Sequence, residues 1–311
     1  MYIGIDLGGT NIAAGLVSEE GKILLQSSSP TMNERDPEEI VGDMATLIKK
    51  LAGDYGIALS DIKGIGIGSP GSIDYDNGEV VYSNNLKMDH FKIANSLSSL
   101  VNLPVKVDND ANCAAMGEYV VSGEGAKNFI LVTLGTGVGS GIVVNGEMLR
   151  GFNGAAGEAG HTVIVTDGEP CSCGRKGCWE AYASVTALIR QTKAAMDKDP
   201  SSLMHEFAKK EGAVTGRTSF DAAKAGDKTA QAVVKQYANY VAEGIINLEN
   251  IFQPDIIAIG GGISREGDYL LNPINEYCSD KHYNRYMAKT KLVTAKLFND
   301  AGIIGAAMIA K

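Results

Sequence analysis

The chain has 311 residues, enough for two domains of ordinary size, and 44% of them are apolar against 21% charged, which excludes a disordered or fibrous protein. Its 28 Lys and Arg are outnumbered by 37 Asp and Glu, a net charge of -9 with no long basic run, which excludes a nucleic-acid groove as the main function. No basic region precedes an apolar stretch at the start, and glycine interrupts every later apolar run before membrane-spanning length, so a soluble cytoplasmic protein without a membrane partner is expected.

Apolar residues 2–7, 12–17 and 23–28, parted by Gly8-Gly9-Thr10-Asn11 and by residues 18–22, predict three short strands joined by tight turns. After Pro37 the residues Ile40, Val41, Met44, Leu47, Ile48 and Leu51 recur at helical spacing, and residues 62–67 then read as a buried strand. A second copy of the opening begins near residue 129. Residues 130–144 (ILVTLGTGVGSGIVV) set beneath 3–17 (IGIDLGGTNIAAGLV) align Leu7 with Leu134 and Gly8 with Gly135. This predicts a duplicated α/β fold with a cleft between its halves, and Ser122-Gly123-Glu124-Gly125 marks the break. Further on, residues 230–252 predict a long helix, 256–259 a strand ending in Gly260-Gly261-Gly262, and 301–310 a closing helix. The expected domains are a small α/β domain over 1–118, a larger α/β domain over 119–298, and a C-terminal helix, 299–311, that returns to the first.

The glycines gather at turns. A nucleotide triphosphate needs backbone N–H groups at close range, which only glycine permits without an intervening side chain. Asp6, Gly8, Gly9, Thr10 and Asn11 offer that approach with a hydroxyl and a carboxylate suited to magnesium; Gly135, Thr136 and Gly137 offer it from the second copy. Gly261 and Gly262, after a strand, are expected at a helix N-terminus. Each turn alone would also serve as a plain hairpin, but three of them, two in matching places of a repeat, favour the nucleotide. No GxxxxGK[ST] occurs, which excludes a P-loop. Gly66-Ile67-Gly68-Ser69-Pro70-Gly71 fits G-x-G-x-x-G, yet Pro70 and residues 72–78 predict a loop and no helix, which ranks a dehydrogenase low.

Five cysteines are present, three of them (Cys171, Cys173, Cys178) close together and preceded by His161. One His and three Cys with paired glycines match a four-coordinate structural zinc; a redox pair or unrelated thiols would need neither the His nor the glycines. Glu158 and Glu180 flank these ligands and are suited to accept hydrogen bonds from sugar hydroxyls. Cys113 and Cys278 read as buried thiols. Residues 105–112 (VKVDNDAN) place Asp and Asn at a strand end and helix start, where Asp108 or Asp110 is either a proton acceptor for a hydroxyl or a helix N-cap.

These residues together resemble the ROK family of bacterial sugar kinases and repressors, its glucokinases above all. The resemblance rests on DLGGT, Gly68-Ser69-Pro70-Gly71, Asn85-Leu86, Asn109-Asp110, LGTGVGSG, the stretch from Gly157-Glu158 through Glu180, and the GGG. It implies an actin-like, hexokinase-like (ribonuclease H-like) fold of two domains around a cleft, closing over a hexose and Mg-ATP, with Asp110 as base. It also implies a sugar pocket of Gly71, Asn85, Asn109, Asp110, Glu158, His161 and Glu180; zinc on His161, Cys171, Cys173 and Cys178; the nucleotide on the three glycine turns; and a homo-oligomer. Glucose is the expected hexose. The loop Ser83-Asn84-Asn85-Leu86-Lys87-Met88 lacks the family's Pro and Trp beside the Asn-Leu pair, which leaves N-acetylglucosamine, N-acetylmannosamine, fructose and mannose as alternatives. Repressors of the family carry a helix-turn-helix ahead of the first glycine turn, whereas Asp6 is already the sixth residue here. A sugar sensor without catalysis is the reading from a different class.

Overall fold

The computed structural model describes residues 1–284 and 286–311. In chain order it forms β1 (Tyr2–Leu7), β2 (Asn11–Val17), β3 (Ile23–Pro30), α1 (Pro37–Tyr55), β4 (Ile65–Ser69), β5 (Ser72–Asp74), β6 (Glu79–Ser83), β7 (Met88–Phe91), α2 (Ile93–Val101), β8 (Val105–Asn109) and α3 (Asp110–Ser122). There follow β9 (Phe129–Leu134), β10 (Val138–Val144), β11 (Glu147–Met148), α4 (Glu180–Ala183), α5 (Val185–Lys198), α6 (Met204–Glu211), α7 (Thr218–Lys224) and α8 (Lys228–Phe252). The chain closes with β12 (Ile256–Gly260), α9 (Asp268–Cys278), β13 (Lys291–Thr294) and α10 (Asp300–Ile309). Contacts divide it into two compact units, one of residues 1–131, 141–157 and 296–311, the other of 132–140 and 158–295, so β9 and β10 each pass from one unit into the other.

The predicted duplication is present residue for residue: β9 and β10 start and stop at the aligned positions of β1 and β2. Sheet order repeats as well, β3-β2-β1-β4-β8 in the first and β11-β10-β9-β12-β13 in the second. In the first sheet β1 runs parallel to β4 and β4 to β8, with Asp6 opposite Gly68 and Gly68 opposite Asp108. That register delivers Asp6, the loop after Ser69, and Asn109-Asp110 to one end of the sheet, at the carboxyl ends of its parallel strands.

Helix α1 shows why the local sequence folds as it does. Asp36 caps it by accepting from Glu38 N (3.0 Å), Pro37 occupies the first turn, and Gly56 ends it at φ 80°. Its stripe of Ile40, Val41, Met44, Ile48 and Leu51 is fully buried with Ile3, Ile5, Ile65 and Ile67 of the sheet, each such side chain contributing about 1.5–3 kcal/mol. α10 lies against β1, β4 and α3. Its approach is so close that a Cβ at Gly66 would stand 1.7 Å from the Ala306 carbonyl oxygen.

Three expectations need correcting. The strand placed over 62–67 lies at Ile65–Ser69, because Ile62 closes a short 3₁₀ turn, Leu59–Asp61, that Asp61 secures by accepting from Ala58 N (2.9 Å). Residues 72–78, expected as a loop, supply β5 and the turn into β6 of a third sheet, β5-β6-β7; no helix follows the G-x-G-x-x-G run, as expected. Gly261 (φ 85°) and Gly262 lead into a 3₁₀ turn, Gly262–Glu266, and α9 begins only at Asp268, so the third glycine turn does not open directly on an α-helix. No helix among the described residues is long and apolar enough to cross a membrane.

Candidate active site

In the first unit the DLGGT turn is held at both ends. Gly8 N donates to Asn11 O (2.9 Å), Thr31 N to Thr10 O (2.8 Å), and Thr31 Oγ1 to Gly8 O (2.6 Å), which leaves Thr10 and Asn11 exposed. Gly9 packs beside Asn85, whose carbonyl accepts from Asn33 Nδ2 (2.7 Å). Thus Asn85 and the first glycine turn are brought together. Gly71 has φ 112°, and a Cβ there would lie 2.2 Å from Tyr82 O, so only glycine fits.

At the β8–α3 junction the helix cap falls to a third residue. The N-cap is neither aspartate but Asn109, whose Oδ1 accepts from Ala111 N (2.9 Å) and Asn112 N (3.4 Å) while its Nδ2 donates to Gly71 O (3.2 Å). Asp108 is buried. Asp110 opens the helix with a solvent-accessible edge. Burial raises the Asp110 carboxyl above the ordinary carboxylate range, with the Ala111 N–H pulling the other way. Burial, and after it the charge of Asp110, push Asp6 up to about 6. Two carboxyls whose environments resist ionisation therefore sit together next to the glycine turn, an arrangement typical of sites that move protons or hold cations.

In the second unit the side-chain donors of His161, Cys171, Cys173 and Cys178 all lie within 4.8 Å of one another. Cys171 Sγ is 3.5 Å from His161 Nδ1 and Cys173 Sγ 3.6 Å from Cys178 Sγ. A zinc tetrahedron with usual bond lengths has edges of about 3.6 Å (S to N) and about 3.8 Å (S to S), so the donor set fits that ion. Burial, then hydrogen bonding with the neighbouring thiols, pushes Cys178 up to about 12, a tendency that a central cation would oppose.

Glu180 ties this cluster to the second glycine turn. Its Oε1 accepts from Ser172 Oγ (3.2 Å) and faces Cys171 Sγ (3.8 Å), while its Oε2 accepts from Val138 N (3.0 Å). A Cβ at Gly137 would meet Oε2 at 2.3 Å. The fully buried Trp179 anchors the same segment through Nε1 to Tyr240 O (2.8 Å) on α8. Gly135 O and Thr136 O accept from Val185 N and Thr186 Oγ1 (both 2.8 Å) at the start of α5. Glu158 is exposed and contributes its carbonyl to His161 N (3.1 Å), while a Cβ at Gly261 would press on Leu134 O.

Sequence reasoning missed Thr31, Asn33, Tyr75, Arg150 and Ser172. Apart from Ser172, which reaches Glu180 within the Cys cluster, each pairs with a residue far along the chain, and no motif or spacing signals such a pairing. Cys113 and Cys278 are buried, as expected, and burial raises both thiols, Cys278 to about 12.

The model of the ROK family matches residues 2–311. The chain belongs to the ROK family. A glucokinase of Halalkalibacterium halodurans is 40% identical over 100% of this chain and 94% of its own length, and one of Thermotoga maritima 37% identical over 99% and 96%. The crystal structure of a ROK glucokinase from Streptomyces griseus in complex with glucose and AMPPNP superposes with TM-score 0.80 at 34% identity, covering 99% of this chain and 98% of that one. With such ROK neighbours the duplicated sheets are those of the actin-like, hexokinase-like fold.

Proposed function

We propose that the chain is a hexose kinase that transfers the γ-phosphate of ATP to the 6-hydroxyl of glucose. The observation that carries this reading is the adjacency of Asp110, at the first turn of α3, to Asp6 beside the DLGGT turn, with Asn109 locking the orientation of the junction. Asp110, once ionised, accepts the hydroxyl proton. The sugar oxygen forms its bond to the γ-phosphorus, the bond from that phosphorus to the bridging oxygen breaks, and the electron pair leaves on ADP. Asp6, Gly8, Gly9, Thr10 and Asn11 orient the phosphates, and Gly135, Thr136, Gly137, Gly261 and Gly262 are further nucleotide contacts in this reading. A bound magnesium ion would supply neutralisation of phosphate charge, and the carboxylate of Asp6 suits its water shell. Gly71, Asn85, Asn109, Asp110, Glu158, His161 and Glu180 are the proposed sugar contacts.

His161, Cys171, Cys173 and Cys178 would hold one zinc with every position filled by protein, which makes it structural. Purified protein is expected to carry one zinc per chain by elemental analysis, and chelation to lower the melting temperature by roughly 10 °C. Metal-free protein with an unchanged melting curve would remove zinc from the account.

The substrate is tested by ADP release from Mg-ATP with glucose, mannose, fructose, N-acetylglucosamine and N-acetylmannosamine. Turnover dominated by glucose is expected. A dominant acetylated sugar would reassign the substrate, and silence with every sugar would overturn the kinase reading in favour of a sensor.

A further inference from the structure

Asp108 stands two positions before Asp110, is 2% exposed, and has no part in the reaction as written. Its carboxylate is nonetheless fully engaged. Oδ1 accepts from Asn109 N (2.8 Å) and Asn112 Nδ2 (2.9 Å), and Oδ2 accepts from Arg150 Nε (2.8 Å). The Arg150 guanidinium in turn lies 3.8 Å from the centroid of the Tyr75 ring, which fixes its plane.

The same loop is docked a second way, since Gly154 packs so closely on Ile73 that a Cβ would stand 2.4 Å from its carbonyl oxygen. Three segments of one unit therefore meet at this ion pair: the β8–α3 junction with Asn109 and Asp110, the β5–β6 turn with Tyr75, and the loop that starts at Arg150. A buried carboxylate is tolerated only when paired. Without Arg150, an ionised Asp108 must turn toward another donor, and that turn releases the Asn109 N–H that sets the direction of the next residue.

We propose that Arg150 is a positioning residue for phosphoryl transfer: by compensating Asp108 it holds the Asn109 backbone, and through it the Asp110 carboxylate, where the sugar hydroxyl arrives. The inference rests on the kinase reading above. Misplacement of a base on the order of 1 Å costs up to about 10² in rate, so the effect belongs in kcat.

The test compares Arg150→Met, Arg150→Lys and the double variant Asp108→Asn/Arg150→Met by steady-state kinetics and thermal melting. R150M is expected to lose roughly 10- to 100-fold in kcat, with the KM for ATP within about threefold, since the nucleotide turns are untouched. R150K, which keeps the charge but not the planar stack, should retain all but about threefold of kcat. The double variant should recover most of what R150M loses, because an amide oxygen at position 108 still accepts from Asn109 N–H and needs no cation. A merely structural role would lower melting temperatures without this kcat pattern. Wild-type kcat in R150M, or a double variant that melts normally yet is no faster than R150M, overturns the inference. Should R150M not fold, R150K and the double variant still decide it. An inactive wild type, assayed first, would overturn the kinase reading and this inference with it, whereas an active wild type with indifferent variants overturns the inference alone.

Discussion

Asp110→Asn is expected to lower kcat by roughly 10² to 10⁴-fold while the dissociation constant for the sugar, measured by calorimetry, changes only a few-fold. An amide can still donate and accept hydrogen bonds but cannot take the hydroxyl proton. The same variant separates the two roles left open at the β8–α3 junction. Asn109 supplies the cap, and an asparagine at 110 can still accept from Ala111 N (2.9 Å) through its amide oxygen, so the melting temperature should hold or rise slightly. Burial raises Asp110, so the acid limb of kcat/KM should lie above the ordinary carboxylate range and vanish in the variant. Full activity in Asp110→Asn would show that the base is another group.

Asp6→Asn should do two opposite things. Turnover is expected to fall by about 10²-fold or more, because the carboxylate stands at the end of β1, just ahead of the turn proposed to orient the phosphates. Stability should move the other way. Asp6 is held at about 6 against an ordinary 3.8, a raised value, so its protonated form favours the folded state. The contribution is fully present below about pH 4 and is lost as pH rises through 6. At pH 7.5 the ionised group costs about 1–3 kcal/mol, which asparagine does not. The variant should therefore melt several degrees higher than wild type at pH 7.5 and match it near pH 4. A lower melting temperature at pH 7.5 would mean that Asp6 is a structural carboxylate and not a strained functional one.

What could be read from the sequence depended on range. The repeat was legible because Leu7-Gly8 and Leu134-Gly135 carry the same turn at aligned positions, and the bounds of both strand pairs followed. The His161 and Cys cluster was legible because spacing within a short loop controls which donors can meet. The carboxylate at position 110 and the amide at 109 stood together, but sharing the cap between them needed the geometry of the backbone. Arg150 with Asp108, and Glu180 with Val138, are joined by folding across some forty residues, so no local pattern announces them. β5 and β6 were hidden by Pro70, Gly71 and Gly78, which punctuate hairpins as readily as loops. Helices α5 to α7 lay in a stretch from which no element was predicted.

The contact between Gly137 and Glu180 also constrains how this sequence can drift. Any side chain at 137 occupies the place of a carboxylate oxygen, and any shorter residue at 180 abandons the Val138 N–H and Ser172 hydroxyl. A change at either position alone disturbs the carboxylate's bonds to Val138 N and Ser172 Oγ. Among descendants of this gene the two should be inherited as a pair, and a lineage that replaced the glycine would be expected to have altered the acid first.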